Sequence, residues 1–307
     1  MTAPHPAPAA AHIASGLDPR VLARIDNLEL VARAVVEGFL NGLHRSVQLG
    51  FSTEFAQHRA YVPGDDLRRL DWRVYARTDR YLIREYEAET NTNVMVALDV
   101  SKSMSYSSGG VTKLDIGRVI GASLAYLAQR QRDRVGFAAF AADIAEYIPP
   151  AAAHFQLVLH ALGRAQPRER GELARPLARL GDALRRRGII VVLTDCYEAP
   201  GVVADAMGGL RTSGHDVVVM HILDRAELDF PFEDAATFED LETKERIPLV
   251  PARMRDRYRE SMREHMRTLE RKLLERGVDY VTVNTSMPIE DTLFNYLVRR
   301  ERLRRVR

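Results

Sequence analysis

The chain has 307 residues, 46% hydrophobic and 28% charged, with a formal net charge of +2 and one cysteine, Cys196. Such length and apolar content suit one large packed domain with a smaller companion and exclude a disordered chain. The nearly cancelling charge gives no bulk attraction to nucleic acid or an anionic membrane, and a single cysteine excludes a disulfide framework and a multi-cysteine zinc site. A reducing compartment fits that usage, and cytoplasm is the expected location.

Residues 1–18 include TAPHPAPAAAHIA, which lacks the basic start and leucine-rich core of a signal peptide and reads as a flexible tail. The runs VMVAL and IIVVL fall far short of the roughly 20 apolar residues that cross a bilayer as a helix, so no membrane span is expected. From Pro19, VLARIDNLELVARAVVEGFLNGL repeats apolar residues at helical spacing, with Asp18 as the expected cap and Gly42 near the end. The stretch from Leu43 to Glu89 balances eight arginines against eight acids, which points to internal ion pairing. VPGDD marks a turn and YLIREYEAE a strand, so residues 19–90 form a helix and a small β element.

Beyond residue 90, short apolar runs alternate with amphipathic segments, the pattern of a sheet covered on both faces. Strands are expected at VMVALDV, RVGFAAF, IAEYIP, IIVVLTD, DVVVMHIL and DYVTVN. Helices are expected at LDIGRVIGASLAYLAQRQ, FQLVLHALGRA, LARPLARLGDALRRRG, PGVVADAMGGLRTSG, MRDRYRESMREHMRTLERKLLERG and IEDTLFNYLVRRERLRR, with FEDLETKER as a polar excursion. The fold class is α/β: a doubly wound, mostly parallel sheet over residues 91–298, followed by an Arg-rich tail at 299–307.

In such sheets the crevice lies beyond the carboxyl ends of the strands, where the strand order reverses. LDVSKSMS places Asp99, Ser101 and Ser103 there, and Asp195 ends another buried strand. One carboxylate and two hydroxyls at alternate positions can converge as hard oxygen ligands for Mg²⁺ or Mn²⁺. The alternative is a structural turn, in which the serines cap the helix starting near Lys113 or satisfy backbone donors.

D-x-S-x-S after a first buried strand, with T-D after a later one, resembles the metal-ion-dependent adhesion site of von Willebrand factor A domains. The upstream HRSVQLGFSTEFAQHRAYVPGDDLRRLDWRVYAR resembles the defining block of the bacterial domain-of-unknown-function family fifty-eight. The two resemblances cover the chain from about residue 40 onward. They imply a von Willebrand-like sheet order with Asp99 and Asp195 at neighbouring strand ends, a bacterial or archaeal source, and association with a MoxR-type AAA+ ATPase. Adhesion sites of this kind draw a threonine from a later loop; QPRERGELARPLARL has none and offers Glu172, either as a ligand or as an acid at a helix start.

No G-x-S-x-G elbow surrounds either serine, and no glycine-rich phosphate loop occurs, so neither serine hydrolysis nor ATP hydrolysis is expected of the chain. In GDDLRRLDWR, Asp65, Asp66, Arg68, Asp71, Trp72 and Arg73 form either a partner-binding surface or an anchor for the N-terminal element. Cys196 reads as a buried small residue. Met254, Tyr258, Met262, Met266, Leu269 and Leu273 recur at helical spacing as a core-facing stripe, beside a row formed by Arg255, Arg259, Arg263, Arg267 and Arg271.

The expected function is a non-catalytic interaction module that presents a client protein to the ATPase. One rival is a metal-dependent hydrolase with Glu172 or His215 as base. The other is nucleic-acid binding through the arginine row and the tail, against which the overall charge argues.

Overall fold

A computed structural model of the chain describes residues 27–47, 58–60, 80–84, 92–168 and 171–293, with the single positions 19, 75, 77 and 296. Helix α1 spans Leu28–Val47. Its start is capped by Asn27, whose Oδ1 accepts the Leu30 N–H at 3.1 Å. The expected end at Gly42 is overrun, since one glycine inside a packed amphipathic helix costs only about 1 kcal/mol; Asp18, the expected cap, lies outside the described residues. Strands β1 (His58–Ala60) and β2 (Leu82–Arg84) pair antiparallel, His58 opposite Arg84.

The chain then runs β3 (Asn93–Asp99), α2 (Lys113–Arg130), β4 (Arg134–Phe140), β5 (Ile144–Ala151), α3 (Phe155–Arg164), α4 (Ala174–Ala183), β6 (Gly188–Thr194) and α5 (Pro200–Thr212). It continues with β7 (Asp216–Leu223), α6 (Arg225–Asp229), β8 (Ala236–Glu239), β9 (Arg246–Leu249), α7 (Pro251–Glu275) and β10 (Asp279–Asn284). Helical backbone resumes at Ile289.

Six strands form the main sheet in the order β10-β7-β6-β3-β4-β5, with β5 antiparallel to β4 and every other pair parallel. This is the expected doubly wound, mostly parallel α/β class. Side chains alternate between faces along each strand. Val94, Val96 and Leu98 join the core under α1, α2 and α3, whereas Met95 and Ala97 join the core under α4, α5 and α7. Helix α2 lies close on the sheet because Gly117 has no side chain; a Cβ there would stand 2.7 Å from Leu98 Cδ1. Ile289, Leu293 and Tyr296, near the C-terminus, share one core with Val31 and Val35 of α1.

Strand order reverses between β3 and β6, which lie side by side, so the switch-point crevice opens at Asp99 and Asp195. Three expectations need correction. Helix α2 is capped not by the serines of the 101–105 loop but by Thr112, in a reciprocal box with Asp115. The polar excursion is a β-hairpin, β8 paired with β9, rooted on stacked rings: Phe230 lies 4.4 Å from Tyr258 and 5.6 Å from Phe238 between centroids. The stripe along α7 is fully buried only at Leu269 and Leu273, while Met254 is 39% exposed. The first half of α7 packs on the aromatic root of the hairpin, through Tyr258, instead of on the sheet.

Candidate functional site

Asp99 is the last residue of β3, and both of its carboxylate oxygens are engaged. Oδ1 accepts the Ser101 N–H at 2.8 Å, and Oδ2 accepts the Thr194 hydroxyl from neighbouring β6 at 2.7 Å. Burial, and then the nearby charge of Asp195, raise the Asp99 carboxyl to about 7 against those hydrogen bonds. The Ser101 and Ser103 hydroxyls, both buried, lie 3.0 Å apart. The chain after Asp195 turns at Cys196, which has φ of 48°, a left-handed conformation that a side chain resists. The Cys196 N–H donates to the Thr194 hydroxyl at 3.2 Å. As expected, Cys196 is buried; burial followed by Asp195 and Asp99 pushes its thiol well above the usual range, so it is not a poised nucleophile.

A lysine that the sequence reading gave no role completes one side of the crevice. Lys113 opens α2, where a cation opposes the helix dipole, and that anomaly was the available signal. Its ammonium is buried and lies 2.8 Å from Asp195 Oδ2 and 2.7 Å from Glu227 Oε1. Burial lowers its pKa, but the two carboxylates more than reverse this, so the ammonium stays charged. Glu227 is the third residue of a capping box whose N-cap is Asp224, just after β7. Asp224 in turn accepts the Ser108 N–H at 3.1 Å. The motif D-x-x-E at 224–227 was thus a second legible signal.

The opposite side is built by the loop before α4 and by the β8/β9 hairpin. The Arg168 N–H donates to Val100 O at 2.6 Å, drawing the loop over β3. Gly171 permits this approach, since a Cβ there would stand 2.7 Å from Ser101 Cβ. At the hairpin tip, Glu242 Oε2 accepts the Gly171 N–H at 3.4 Å. Burial raises the Glu242 carboxyl, opposed by hydrogen bonds from Gly171 and from the hydroxyl and N–H of Ser103. The tip is also held by the Tyr197 hydroxyl, which donates to Asp240 Oδ2 at 2.7 Å.

Asp99, Ser101, Ser103 and Asp195 therefore share one crevice. Glu172 sits on its rim with an exposed side chain, and its N–H donates to Ala141 O at 3.2 Å. The acid serving the start of α4 is Glu198, which accepts the Leu173 N–H at 2.7 Å. His215 precedes β7 and so lies at the amino end of the sheet, a strand length from the crevice, and cannot act there as a base. Among the described residues no group of three or more His, Cys, Asp or Glu is arranged to hold a metal, so a cation here depends on the serine hydroxyls.

In the arginine row, Arg255 donates to the carbonyls of Phe230 and Phe232, and Arg259 to that of Asp229, which ties α7 to the root of the hairpin. Arg263 pairs with Glu260. Asp65, Asp66, Arg68, Asp71, Trp72 and Arg73, and the tail at 299–307, lie outside the described residues. Among the described residues no helix is long and apolar enough to cross a membrane.

An uncharacterized protein of Mycobacterium tuberculosis is 28% identical over 294 residues, covering 91% of each chain. Among solved structures, the conserved hypothetical protein BatB from Bacteroides thetaiotaomicron is similar over 68% of this chain and 98% of its own, at 16% identity and TM-score 0.45. The SpRpn10 VWA domain is similar over 66% of this chain and 93% of its own, at 11% identity and TM-score 0.38. Residues 57–268 match the family described as "Protein of unknown function DUF58", and the chain belongs to that family.

Proposed function

We propose that the chain is a non-catalytic protein-interaction module whose crevice holds a divalent cation, Mg²⁺ or Mn²⁺, on Ser101 and Ser103, with Asp99 and Asp195 behind them. The observation that carries this reading is the 3.0 Å separation of the two serine hydroxyls at the strand-order switch. That distance suits a hydrogen bond, and it is also the edge between adjacent ligands of an octahedral ion with bonds of about 2.1 Å. The charge balance points the same way. Asp99, Asp195, Glu227 and Glu242 converge here, and Lys113 is the cation among the described residues that contacts any of them.

The cation would supply an electropositive position for a carboxylate of a partner. The protein's own residues do the rest: Thr194 and the Ser101 N–H fix Asp99, Lys113 fixes Asp195, and Gly171 lets the covering loop close. The partner we propose is a MoxR-type AAA+ ATPase, to which the module presents a client protein in the cytoplasm. Asp65, Asp66, Arg68, Asp71, Trp72 and Arg73 are proposed as a second contact surface. Glu172 on the rim is an additional acid available to the same ion.

Thermal unfolding with Mn²⁺ and with chelator, alongside co-purification with the ATPase, tests this. The expected result is a midpoint that rises with Mn²⁺, because an ion bound only by the folded state stabilises it by mass action. ATPase capture should be lost in chelator. A chain indifferent to the ion in both assays overturns the proposal.

A further inference from the structure

We propose that Glu242, carried by the β8/β9 hairpin, is an internal carboxylate that occupies the partner-facing position of the crevice, so that an acidic partner must displace the hairpin tip to bind. The inference rests on the cation reading and adds to it the device that governs access. Gly171 is in contact with both sides: a Cβ built there would lie 2.7 Å from Ser101 Cβ and 3.6 Å from Glu242 Oε1. The Glu242 carboxylate therefore stands across Gly171 from Ser101, at the mouth of the serine side. Its Oε2 accepts the Gly171 N–H at 3.4 Å. It supplies the acid that the sequence pattern led one to seek at Glu172, and it does so from an element that follows β7 in the chain instead of the loop before α4.

The hairpin is bonded internally as a unit. Its root is fixed by the packed rings of Phe230, Phe232, Phe238 and Tyr258. Its tip is internally satisfied: Asp240 Oδ1 accepts the N–H groups of Glu242 and Thr243 at 2.8 and 2.9 Å, and Lys244 and Arg246 both pair with Glu239. None of these bonds breaks if the tip lifts. Among the described residues its hydrogen-bonded ties to the crevice are Glu242 to Gly171 and Asp240 to Tyr197. The Gly171 tie, at 3.4 Å, is long for a hydrogen bond and correspondingly weak. With its root fixed and Glu242 itself held only by the long Gly171 bond, the carboxylate is a tethered competitor: it is present at high effective concentration yet yields to a carboxylate that brings further contacts.

Mn²⁺ titration followed by water-proton relaxation tests this on the full chain, comparing wild type with Glu242→Gln. The variant is expected to bind Mn²⁺ roughly tenfold more weakly, because ligand charge sets the affinity of oxygen sites. It should also show higher relaxivity from water admitted to the ion. Added acetate, the free carboxylate probe, should lower that relaxivity in Glu242→Gln and leave the wild type unchanged. Wild type and variant that bind Mn²⁺ with the same affinity and relaxivity overturn the internal-ligand inference while the cation site stands. A wild type that binds no Mn²⁺ overturns the cation reading, and this inference with it.

Discussion

The two sides of the crevice solve the same electrostatic problem differently. On one side a buried ammonium, Lys113, sits between Asp195 and Glu227, so the carboxylates gathered there carry their own counterion. On the other, the Ser101 and Ser103 hydroxyls lie 3.0 Å apart, and the Glu242 carboxylate stands across Gly171 from Ser101. The lysine side is complete as a piece of folded protein. On the cation reading proposed above, the serine side takes an ion from solution. A strand-order switch can thus hold a scaffold and a docking position a few residues apart, and neighbouring acids need not share a role.

The largest expected effect breaks the lysine side. Lys113→Met removes one member of a buried charged group and should cost about 3 to 5 kcal/mol in urea unfolding. Mg²⁺ should not restore it; full rescue by the ion would mean that the two sides are one cation site. Next comes acid. Burial depresses His221 to about 4, with its Nδ1 2.7 Å from the Tyr280 hydroxyl. In the unfolded chain it takes a proton near pH 6.5. Between those values the unfolded state binds more protons, so the contribution is fully present above pH 6.5 and is lost as pH falls to about 4, roughly 3 kcal/mol in all. Unfolding free energies at several pH values, with and without Mg²⁺, should show this slope unchanged by the ion, and His221→Gln should flatten it.

Asp99→Ala should cost about 1 to 3 kcal/mol, because the Ser101 N–H and the Thr194 hydroxyl lose their acceptor. It should also abolish stabilisation by Mn²⁺. Equal destabilisation in ion and in chelator, with a wild type that ignores the ion, would reduce the serine side to a turn. The smallest effect is expected from Tyr197→Phe, which removes the hydroxyl that holds Asp240. A loss of about 0.5 to 1.5 kcal/mol is the scale of one such bond. Faster amide exchange confined to the hairpin tip would locate it there, whereas exchange spreading into β6 would show that the tip is part of the core.

Much of the fold was legible because each core strand is an apolar run and each helix a periodic one. Asp99 and Asp195 stood out as acids that close two such runs, and the topology makes those runs neighbours. Lys113 was visible but passed as a helix boundary, although a lysine at the first helical position already asks for a partner. Glu242 gave no local sign. It lies in the charged sequence FEDLETKER, and only the aromatic packing of Phe230 and Phe238, a tertiary event, aims that hairpin at the crevice. The α7 stripe failed for a related reason: periodicity tells which side of a helix is apolar, not how far the sheet beneath it extends.

The meeting of α1 with residues 289–296 delays the completion of one part of the core. Val31 and Val35 share a core with Ile289, Leu293 and Tyr296, so α1 finds part of its seat on a segment synthesised long after it. Closing so distant a contact is slow relative to the local pairing of β3 with β4. During synthesis α1 must wait with its apolar face incompletely covered, and a nascent chain stalled before residue 289 should expose that face to chaperones.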